Sequence, residues 1–306
     1  MQKHPLQFIF LLLGCLLLTS CALQSPLLQT AGDAIAIQGA DDEEDLEIAQ
    51  NASAFYIKLS ESVLQAVPNN VALAVSTTST LTQYAYAFVA TQAEQIEAQN
   101  PKAAFALRTR AAKLYTRAKT HGLRALELNQ TGLLKALSTI NPVLMSSVGK
   151  TSVSPTSLTL KPELTALAYW SAASWAGAIS LSKDSPEVVA DLPQAVALAG
   201  LAYQAQPNFG NGALASLMGS LEMAKAGGSK SQALAYFDLS LQISKRMDPS
   251  ALVSKAENYA LPMADKVLFE SLLNEALACN PPKNDVATQV MKSRAQWLLE
   301  HSEDYF

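Results

Sequence analysis

KPELTALAYWSAASWAGAISLSKDSPEVVADLPQAVALAGLAYQAQPNFGN, residues Lys161–Asn211, is the stretch that decides the fold class of this chain. Alanine, glycine or serine occurs on nearly every predicted helical turn, and Ser182–Pro186 interrupts the pattern. Small side chains allow helices to approach closely, and large aromatic side chains such as Trp170 and Trp175 then fill the gaps. The stretch therefore predicts a helical hairpin that packs among other helical hairpins.

Four aromatic residues are predicted to be structural core: Trp170, Trp175, Tyr203 and Trp297. Buried aromatic residues at helical spacing usually belong to a core and not to a ligand site. We therefore expect Trp170 and Trp175 to act indirectly, by shaping the walls of any cavity that the surrounding helices enclose.

Helical spacing of apolar residues recurs along the rest of the chain, and no stretch favours a strand. The predicted helices cover 48–67, 70–99, 102–128, 131–140, 212–226, 232–245, 265–279 and 285–299. Ser76–Thr80 has low helix propensity and predicts a break or kink in the second of these. Gly210–Gly212 predicts a turn that lets two hairpins stack. The fold class is predicted to be all-α, with stacked helical hairpins. The spacing Ala199, Ala202, Tyr203 and Pro207 is similar to the end of a tetratricopeptide (TPR) unit.

The composition excludes one class of partner. The chain has 306 residues and only 16% are charged, against about 25% in soluble domains, so many helices must bury more than one face. The net charge is −4, which leaves no cationic surface to follow a phosphate backbone. No nucleic-acid partner is expected.

The first 21 residues predict a lipoprotein signal. Lys3 precedes the apolar run Phe8–Leu18, which is much shorter than the ~20 residues of a spanning helix. Leu18-Thr19-Ser20-Cys21 matches a bacterial lipobox, so we expect cleavage before Cys21 and its lipidation, giving a lipid anchor in the membrane. An ordinary signal peptide that is cleaved elsewhere is the alternative. Ala22 provides no aspartate retention signal. The predicted location is the bacterial cell envelope, facing the periplasm and at the outer membrane.

The domain prediction follows from these patterns: a signal peptide over 1–20, an acidic flexible tether over 21–45, and one all-helical domain over 46–306. The acidic run Asp41–Asp45 is interpreted as the opening of a helix, where carboxylates are favoured by the helix dipole, and it lacks EF-hand spacing. Residues 141–161 lose the helical pattern and predict a lid, a pore rim or a partner contact.

A basic cluster occupies the helix predicted over 102–128. Its members are Arg108, Arg110, Lys113, Arg117, Lys119 and Arg124. At about 100° per residue, Arg110, Lys113, Arg117 and Arg124 share one face. This face is either a solvated surface or a ligand site for anions, because arginine suits planar carboxylates.

The sequence lacks the residues that catalysis would need. The histidines are His4, His121 and His301, with no metal-ligand spacing and no triad pattern. Walker, G-x-S-x-G and C-x-x-C motifs are absent. We therefore expect no enzyme, no cofactor and no metal; a hydrolase without recognisable motifs is the remaining enzymatic alternative.

Several segments in a fixed order resemble the TatT family, the TPR-containing lipoprotein component of tripartite ATP-independent periplasmic (TRAP) transport systems. They are the lipobox at Cys21, Ala112–Tyr115 through Gly122–Leu126, Tyr169-Trp170 with Trp175, Ile179–Ser182, Gly212–Leu214, Tyr259-Ala260, Asp265-Lys266, Phe269, Leu272-Leu273, Leu277, Arg294-Ala295, Trp297–Leu299 and Asp304–Phe306. The resemblance covers most of the mature chain.

The resemblance implies a cryptic TPR-like body, a homotrimer, and a cavity or channel through each subunit. It also implies association with the periplasmic solute-binding protein of a TRAP system, which handles small organic solutes that are carboxylates or partly hydrophobic. It carries over no catalytic residue. The alternative is an envelope TPR scaffold that mediates protein-protein interactions without a small-molecule ligand. A peptide groove should be open and polar, whereas a transport cavity should be enclosed and largely apolar.

Overall fold

The protein is described by a computed structural model over residues 28–37, 43, 45–139, 158–281 and 285–306. Within these ranges the chain forms helices and no strand, which confirms the all-α prediction. The helices are α1 (28–37), α2 (Leu46–Ala66), α3 (Val71–Tyr84), α4 (Pro101–Asn129), α5 (Leu133–Ser138), α6 (Thr165–Ser180), α7 (Pro186–Val189), α8 (Leu192–Ala205), α9 (Ala213–Ala224), α10 (Lys230–Ile243), α11 (Pro249–Lys255), α12 (Lys266–Ala278) and α13 (Val286–Glu300).

Two π-helical segments extend α-helices of this set. Ala85–Ala90 continues α3 and leads into a short α-helical segment, Thr91–Gln95, while Ala256–Ala260 continues α11. Such segments are rare and are often found at functional sites. Both segments are therefore candidates for a functional site.

Side-chain caps explain where several helices begin. Asp45 accepts hydrogen bonds from the backbone N–H groups of Glu47 and Ile48, so the acidic run does open α2, although Asp41, Asp42 and Glu44 lie outside the described residues. Asn70, Ser229, Asp265 and Asp285 cap α3, α10, α12 and α13 in the same way. Each cap satisfies backbone donors that the first helical turn leaves free.

Helix α6, from the stretch that predicted the fold, lies against α3, α4 and α8. Nine of its 16 residues are buried, so it has no solvent-facing side of any width. The Ser171 side chain packs so closely on Gly122 of α4 that a Cβ would not fit at Gly122. Similarly, a Cβ on Gly177 of α6 would lie 2.7 Å from the Tyr115 ring. The predicted close approach of small-residue helices is confirmed.

The turn between α8 and α9 consists of Gly210, Asn211 and Gly212, all with positive φ. A Cβ on Gly212 would lie 2.8 Å from the carbonyl oxygen of Ser240 in α10. Glycine therefore permits both the left-handed backbone and the approach of the next hairpin. This confirms the predicted stacking turn.

The predicted break at Ser76–Thr80 was wrong. The hydroxyl groups of Thr77 and Thr82 donate to the carbonyl oxygens of Leu73 and Thr78, each at 2.7 Å, and the helix continues through the run. Serine and threonine that bond one turn back remain compatible with a helix. The irregular backbone occurs later, at Ala85–Ala90.

Helix α11 was missing from the prediction, which placed no helix between residues 245 and 265. Asp248 in fact caps α11, its Oδ1 accepting from the backbone N–H of Ser250 at 2.8 Å, and Pro249 occupies the first helical turn. Proline is favoured at that position because its missing N–H has no partner there.

The flexible-tether prediction does not hold for residues 28–37, which are helical. The Asn70 amide donates to Asp33 Oδ1 at 2.8 Å and to Gln29 Oε1 at 3.0 Å, which fixes α1 beside the start of α3.

The signal peptide, Cys21 and residues 141–157 lie outside the described residues. The end of the predicted 141–161 loop is held in place, since Gln130 Nε2 donates to the Thr159 carbonyl oxygen at 2.8 Å.

Candidate functional site

A cleft of about 360 Å³ lies between the segment that follows α3, the N-terminal half of α4, the end of α6, and α13. These elements come from three separate regions of the sequence, residues 86–115, 180–181 and 294. The lining residues are Tyr86, Ala90, Thr91, Glu94, Glu97, Arg108, Tyr115, Ser180, Leu181 and Arg294.

The first π-helical segment positions one wall of the cleft. The Tyr86 carbonyl oxygen accepts the backbone N–H of Thr91, five residues on, and also the Thr91 hydroxyl at 2.9 Å. The wider turn changes the direction in which the side chains before and after it project. Tyr86 and Glu94 consequently both line the cleft.

Helix α4 and Gly177 shape the opposite wall. Arg108 and Tyr115 are seven residues apart on α4 and share one face. The Tyr115 ring lies directly over Gly177 of α6, which has no side chain to displace it. Burial raises the pKa of the Tyr115 hydroxyl further above neutral pH.

Arg294 on α13 is the central charged group of the site, and the residue is only 6% exposed. Its Nη2 donates to Glu257 Oε1 at 2.5 Å and its Nε to the same oxygen at 3.1 Å. Its Nη1 lies 2.8 Å from Glu94 Oε2 but makes no aligned hydrogen bond. Since Glu257 belongs to the second π-helical segment, both π-helical segments supply carboxylate or hydroxyl groups around one guanidinium.

Burial raises the pKa of the Glu257 carboxyl above its ordinary value, while the Arg294 charge and the Tyr86 hydroxyl act in the opposite direction. Burial would lower the pKa of Arg294, but Glu257 and the neighbouring acidic groups outweigh it and raise this pKa. The guanidinium is therefore charged at every physiological pH. Burial, followed by Glu257, raises the pKa of Tyr86 well above its usual range.

The outer part of the cleft carries a second ion pair. Arg108 Nη1 lies 2.5 Å from Glu97 Oε2, and both side chains are partly exposed. The hydrogen bond from Arg108 lowers the pKa of the Glu97 carboxyl. Two arginines and two glutamates thus line the cleft, and their formal charges cancel.

The four residues predicted as an anion-binding face lie elsewhere on α4. Arg117 pairs with Glu61, which is only 4% exposed and also lies 2.8 Å from His121 Nε2. Arg110, Lys113 and Arg124 are exposed, and Arg110 Nη2 lies 3.4 Å from the Tyr84 hydroxyl. Arg108 lines the cleft and these four do not, because it projects from the other side of the helix. Anion binding by Arg110, Lys113, Arg117 and Arg124 stays a prediction.

None of the four aromatic residues predicted as core lines the cleft. Trp175 is buried, and its Nε1–H donates to Asp191 at 3.0 Å. Trp170 and Tyr203 are partly buried against Tyr169 and Tyr236. Trp297 lies under the Arg294 guanidinium at 4.9 Å and stacks on His301.

Sequence reasoning missed Tyr86, Glu94 and Glu257, and quoted Arg294 only for its family resemblance. Arg294 did carry a signal, because it falls four residues after Val290 and four before Leu298, on the apolar stripe of the last helix. A charge on such a stripe indicates a buried ion pair.

Within the described ranges, no group of three His, Cys, Asp or Glu residues could hold a metal ion. Over the same ranges, no helix has the length and apolar character that crossing a membrane would require. The chemistry available at the cleft is hydrogen bonding and charge pairing.

Comparisons with known proteins place this geometry in context. The model of the family described as "TAtT: TRAP transporter T-component" matches residues 42–306, which include every residue lining the cleft. An uncharacterised protein of Treponema pallidum (strain Nichols) is 23% identical over 329 residues, with 100% of this chain and 99% of the relative covered.

Proposed function

Since the chain belongs to the TRAP transporter T-component family, we propose that it is a lipid-anchored periplasmic protein that binds the solute-binding protein of a TRAP system and assists passage of small organic solutes. The family is a transport component family and not an enzyme family. The proposal rests on the family match across residues 42–306, a range that includes every residue lining the cleft.

The cleft is the proposed solute site. Its volume of about 360 Å³ is within the ~300–1,000 Å³ of small-molecule pockets. It combines tyrosine rings and Leu181 with a buried guanidinium, a mixture suited to small, partly hydrophobic molecules that carry a polar group. The size of the cleft suits a small solute better than an extended peptide, although its charged lining differs from the largely apolar cavity expected for transport.

An apolar stripe on α2 supports self-association. Ile48, Phe55 and Leu59 are exposed, with Phe55 at 71%, and they lie on the face opposite the buried Ile57 and Leu64. Homo-oligomer interfaces are more apolar than ordinary protein surface. We assign this stripe to the contact between subunits of the proposed homotrimer.

Co-expression with a TRAP solute-binding protein from the same organism tests the association. The full-length protein is solubilised from membranes, captured by a C-terminal tag, and its mass is measured by light scattering. A trimer that retains the solute-binding protein is expected. Phe55→Asp should reduce the trimer, whereas Val267→Asp, at an exposed apolar position on α12, should not. A monomer that retains no partner would refute the proposal.

A further inference from the structure

The solvent-facing side of α4 carries a row of cations without carboxylate partners. The members of this row are Lys102, Arg110, Lys113 and Arg124, and all four are exposed. At about 100° per residue, they lie within about 80° of one another around the helix. Within the part of the chain that the structure describes, no carboxylate forms an ion pair with any of them, whereas the other lysine and the other two arginines of α4 each pair with one. The row therefore presents uncompensated positive charge to its surroundings.

The neighbouring acidic residues do not neutralise this row. Residues 101–126 of α4 contain no aspartate or glutamate. The next residue, Glu127, accepts hydrogen bonds from two backbone N–H groups of the following turn. Glu61 of α2 is only 4% exposed and is already held by Arg117. The net charge of −4 is an average over the chain and does not describe this face, which attracts anionic surfaces.

The chain enters the fold at the end of the molecule where α4 ends. The Asn129 side chain donates to the Asn69 carbonyl oxygen at 3.3 Å, and the Gln29 side chain donates to the Asn69 side-chain oxygen at 3.2 Å. Asn69 therefore bridges the first turn of α1 and the last residue of α4. The predicted lipidation site, Cys21, precedes Gln29 by eight residues. An extended chain of that length covers at most about 29 Å, so a lipid on Cys21 would hold this end of the protein close to the membrane.

The row of cations begins near that same end. Arg124 is five residues from the end of α4, and the row extends from it to Lys102 over about 33 Å, at about 1.5 Å per residue. A tether of up to about 29 Å allows the helix to lie along the membrane surface. Leu28 and Leu128 are 39% and 49% exposed and add apolar surface at this end. Position and charge thus both favour contact with a membrane.

The composition of the face favours a membrane over a protein partner. The centres of protein–protein interfaces are enriched in aromatic residues and depleted in lysine. Phe105 is exposed on α4 but lies outside the row, about 60° from Lys102 around the helix. The exposed residues between Lys113 and Arg124 are Thr116 and Thr120. A long row of separate cations on a polar face suits the array of phosphate groups on an anionic bilayer.

From these observations we propose that the solvent-facing side of α4 rests on the membrane surface, where its four unpaired cations bind the phosphate groups of anionic phospholipids. The assignment rests on the proposed lipid anchor: the lipid retains the protein at the membrane, and the cations fix its orientation. Arg108 and Tyr115, which line the cleft, project from the opposite side of α4. This orientation therefore turns the cleft away from the membrane.

The solvent accessibility of a label on this face tests the orientation. The full-length lipidated protein with Thr120→Cys and Cys279→Ser is labelled with a fluorophore and reconstituted into phosphatidylcholine vesicles with or without phosphatidylglycerol. We expect the label to be shielded from acrylamide, a neutral quencher, only where phosphatidylglycerol is present. Val267→Cys on α12, at an 81% exposed position, is the control and should be quenched equally in both kinds of vesicle. Equal quenching of the Thr120 label in both would overturn the proposal.

Charge variants test the contact with the headgroups. Lys113→Gln/Arg124→Gln should return the quenching of the Thr120 label to its level in neutral vesicles. Lys183→Gln/Lys230→Gln removes the same charge from exposed positions outside α4 and should leave the label shielded. Salt at about 1 M, where the Debye length is about 3 Å, should also remove the shielding. Shielding that survives in the α4 variant would contradict the role given to the cations.

Cosedimentation with the vesicles separates this assignment from the proposed anchor. A protein that cosediments with both kinds of vesicle but keeps the Thr120 label accessible has the anchor without the α4 contact. A protein that stays in the supernatant with neutral vesicles lacks the anchor. Either result overturns the assignment, but only the second also removes the anchor. Shielding that requires an added solute-binding protein instead of anionic lipid would overturn it in favour of a protein contact.

Discussion

The Tyr305 hydroxyl donates a hydrogen bond to Glu94 Oε1 at 3.0 Å, joining residues 211 positions apart in sequence. The other oxygen of the same carboxylate pairs with Arg294. One glutamate therefore connects the last turn of the chain to the segment after α3. The end of the sequence therefore holds Glu94, a residue of the cleft lining, without lining the cleft itself.

Replacing Tyr305 by phenylalanine should weaken this connection. The change removes one hydrogen bond to a charged group and should lower the free energy of unfolding by about 1–2 kcal/mol. Urea denaturation followed by circular dichroism provides the measurement. Tyr236→Phe is the control, because the described residues show no hydrogen bond from its hydroxyl. Equal stability of the two variants would count against the Tyr305 contact.

Replacing Arg294 by methionine should be far more costly. Glu257 would remain buried without its guanidinium, and breaking a buried pair from one side costs about 3–5 kcal/mol. The double variant Arg294→Met/Glu257→Leu should recover part of that loss, because no carboxylate is then stranded at position 257. Both are compared with wild type by denaturant titration.

The control is Arg246→Met, since Arg246 and its partner Glu275 are 49% and 32% exposed. Exposed pairs contribute up to about 1 kcal/mol. If the Arg246 and Arg294 variants lose similar stability, the central role of Arg294 is wrong.

Gly177→Ala should disturb the cleft through Tyr115. The added Cβ would lie 2.7 Å from the Tyr115 ring, so the ring or the helix must move, at a cost of about 1–3 kcal/mol. Gly200→Ala in α8 is the matched control, because nothing lies within 4 Å of its Cβ. It should raise stability by about 0.5–1 kcal/mol through helix propensity. Melting temperatures that shift in the same direction would contradict the close-approach argument.

Glu127 should give a pH-dependent contribution to stability. The backbone N–H groups of Leu134 and Gly132 bond its carboxylate and lower its pKa from the ordinary 4.5. A carboxyl with a lowered folded pKa stabilises the fold above its ordinary pKa, and this contribution is lost as the pH falls through the folded pKa. Glu127→Gln should therefore melt below wild type at pH 7, and the difference should shrink below about pH 4. Glu163→Gln, at an exposed carboxyl, is the control; a difference independent of pH would argue against ionisation as the cause.

Cys21 remains the predicted lipidation site and lies outside the described residues. Cys21→Ser should abolish metabolic labelling with palmitate and move the protein from the membrane fraction to the soluble fraction. Cys279→Ser keeps the lipobox and should leave both properties unchanged. Membrane retention of the Cys21 variant would favour a different anchor.

Local patterns were sufficient for much of the fold. The turn at Gly210–Gly212 acts over a few residues, and it lies where the sequence predicted it. The prediction was wrong where one short sequence is compatible with two backbone structures. Pro249 can follow one helix or begin the next, and Ser76–Thr80 can break a helix or bond back into it, and only the neighbouring contacts decide.

The sequence by itself determined the all-α class, the small-residue packing around Trp175 and the absence of recognised catalytic motifs, because propensity and periodicity are properties of short segments. Only the tertiary structure decided the site. Tyr86 and Glu94 are distant in sequence from Glu257 and Arg294, and two π-helical segments and the return of the C-terminal helices bring the two pairs together. Such long-range electrostatic pairing depends on where helices end in space, which no local spacing of residues encodes.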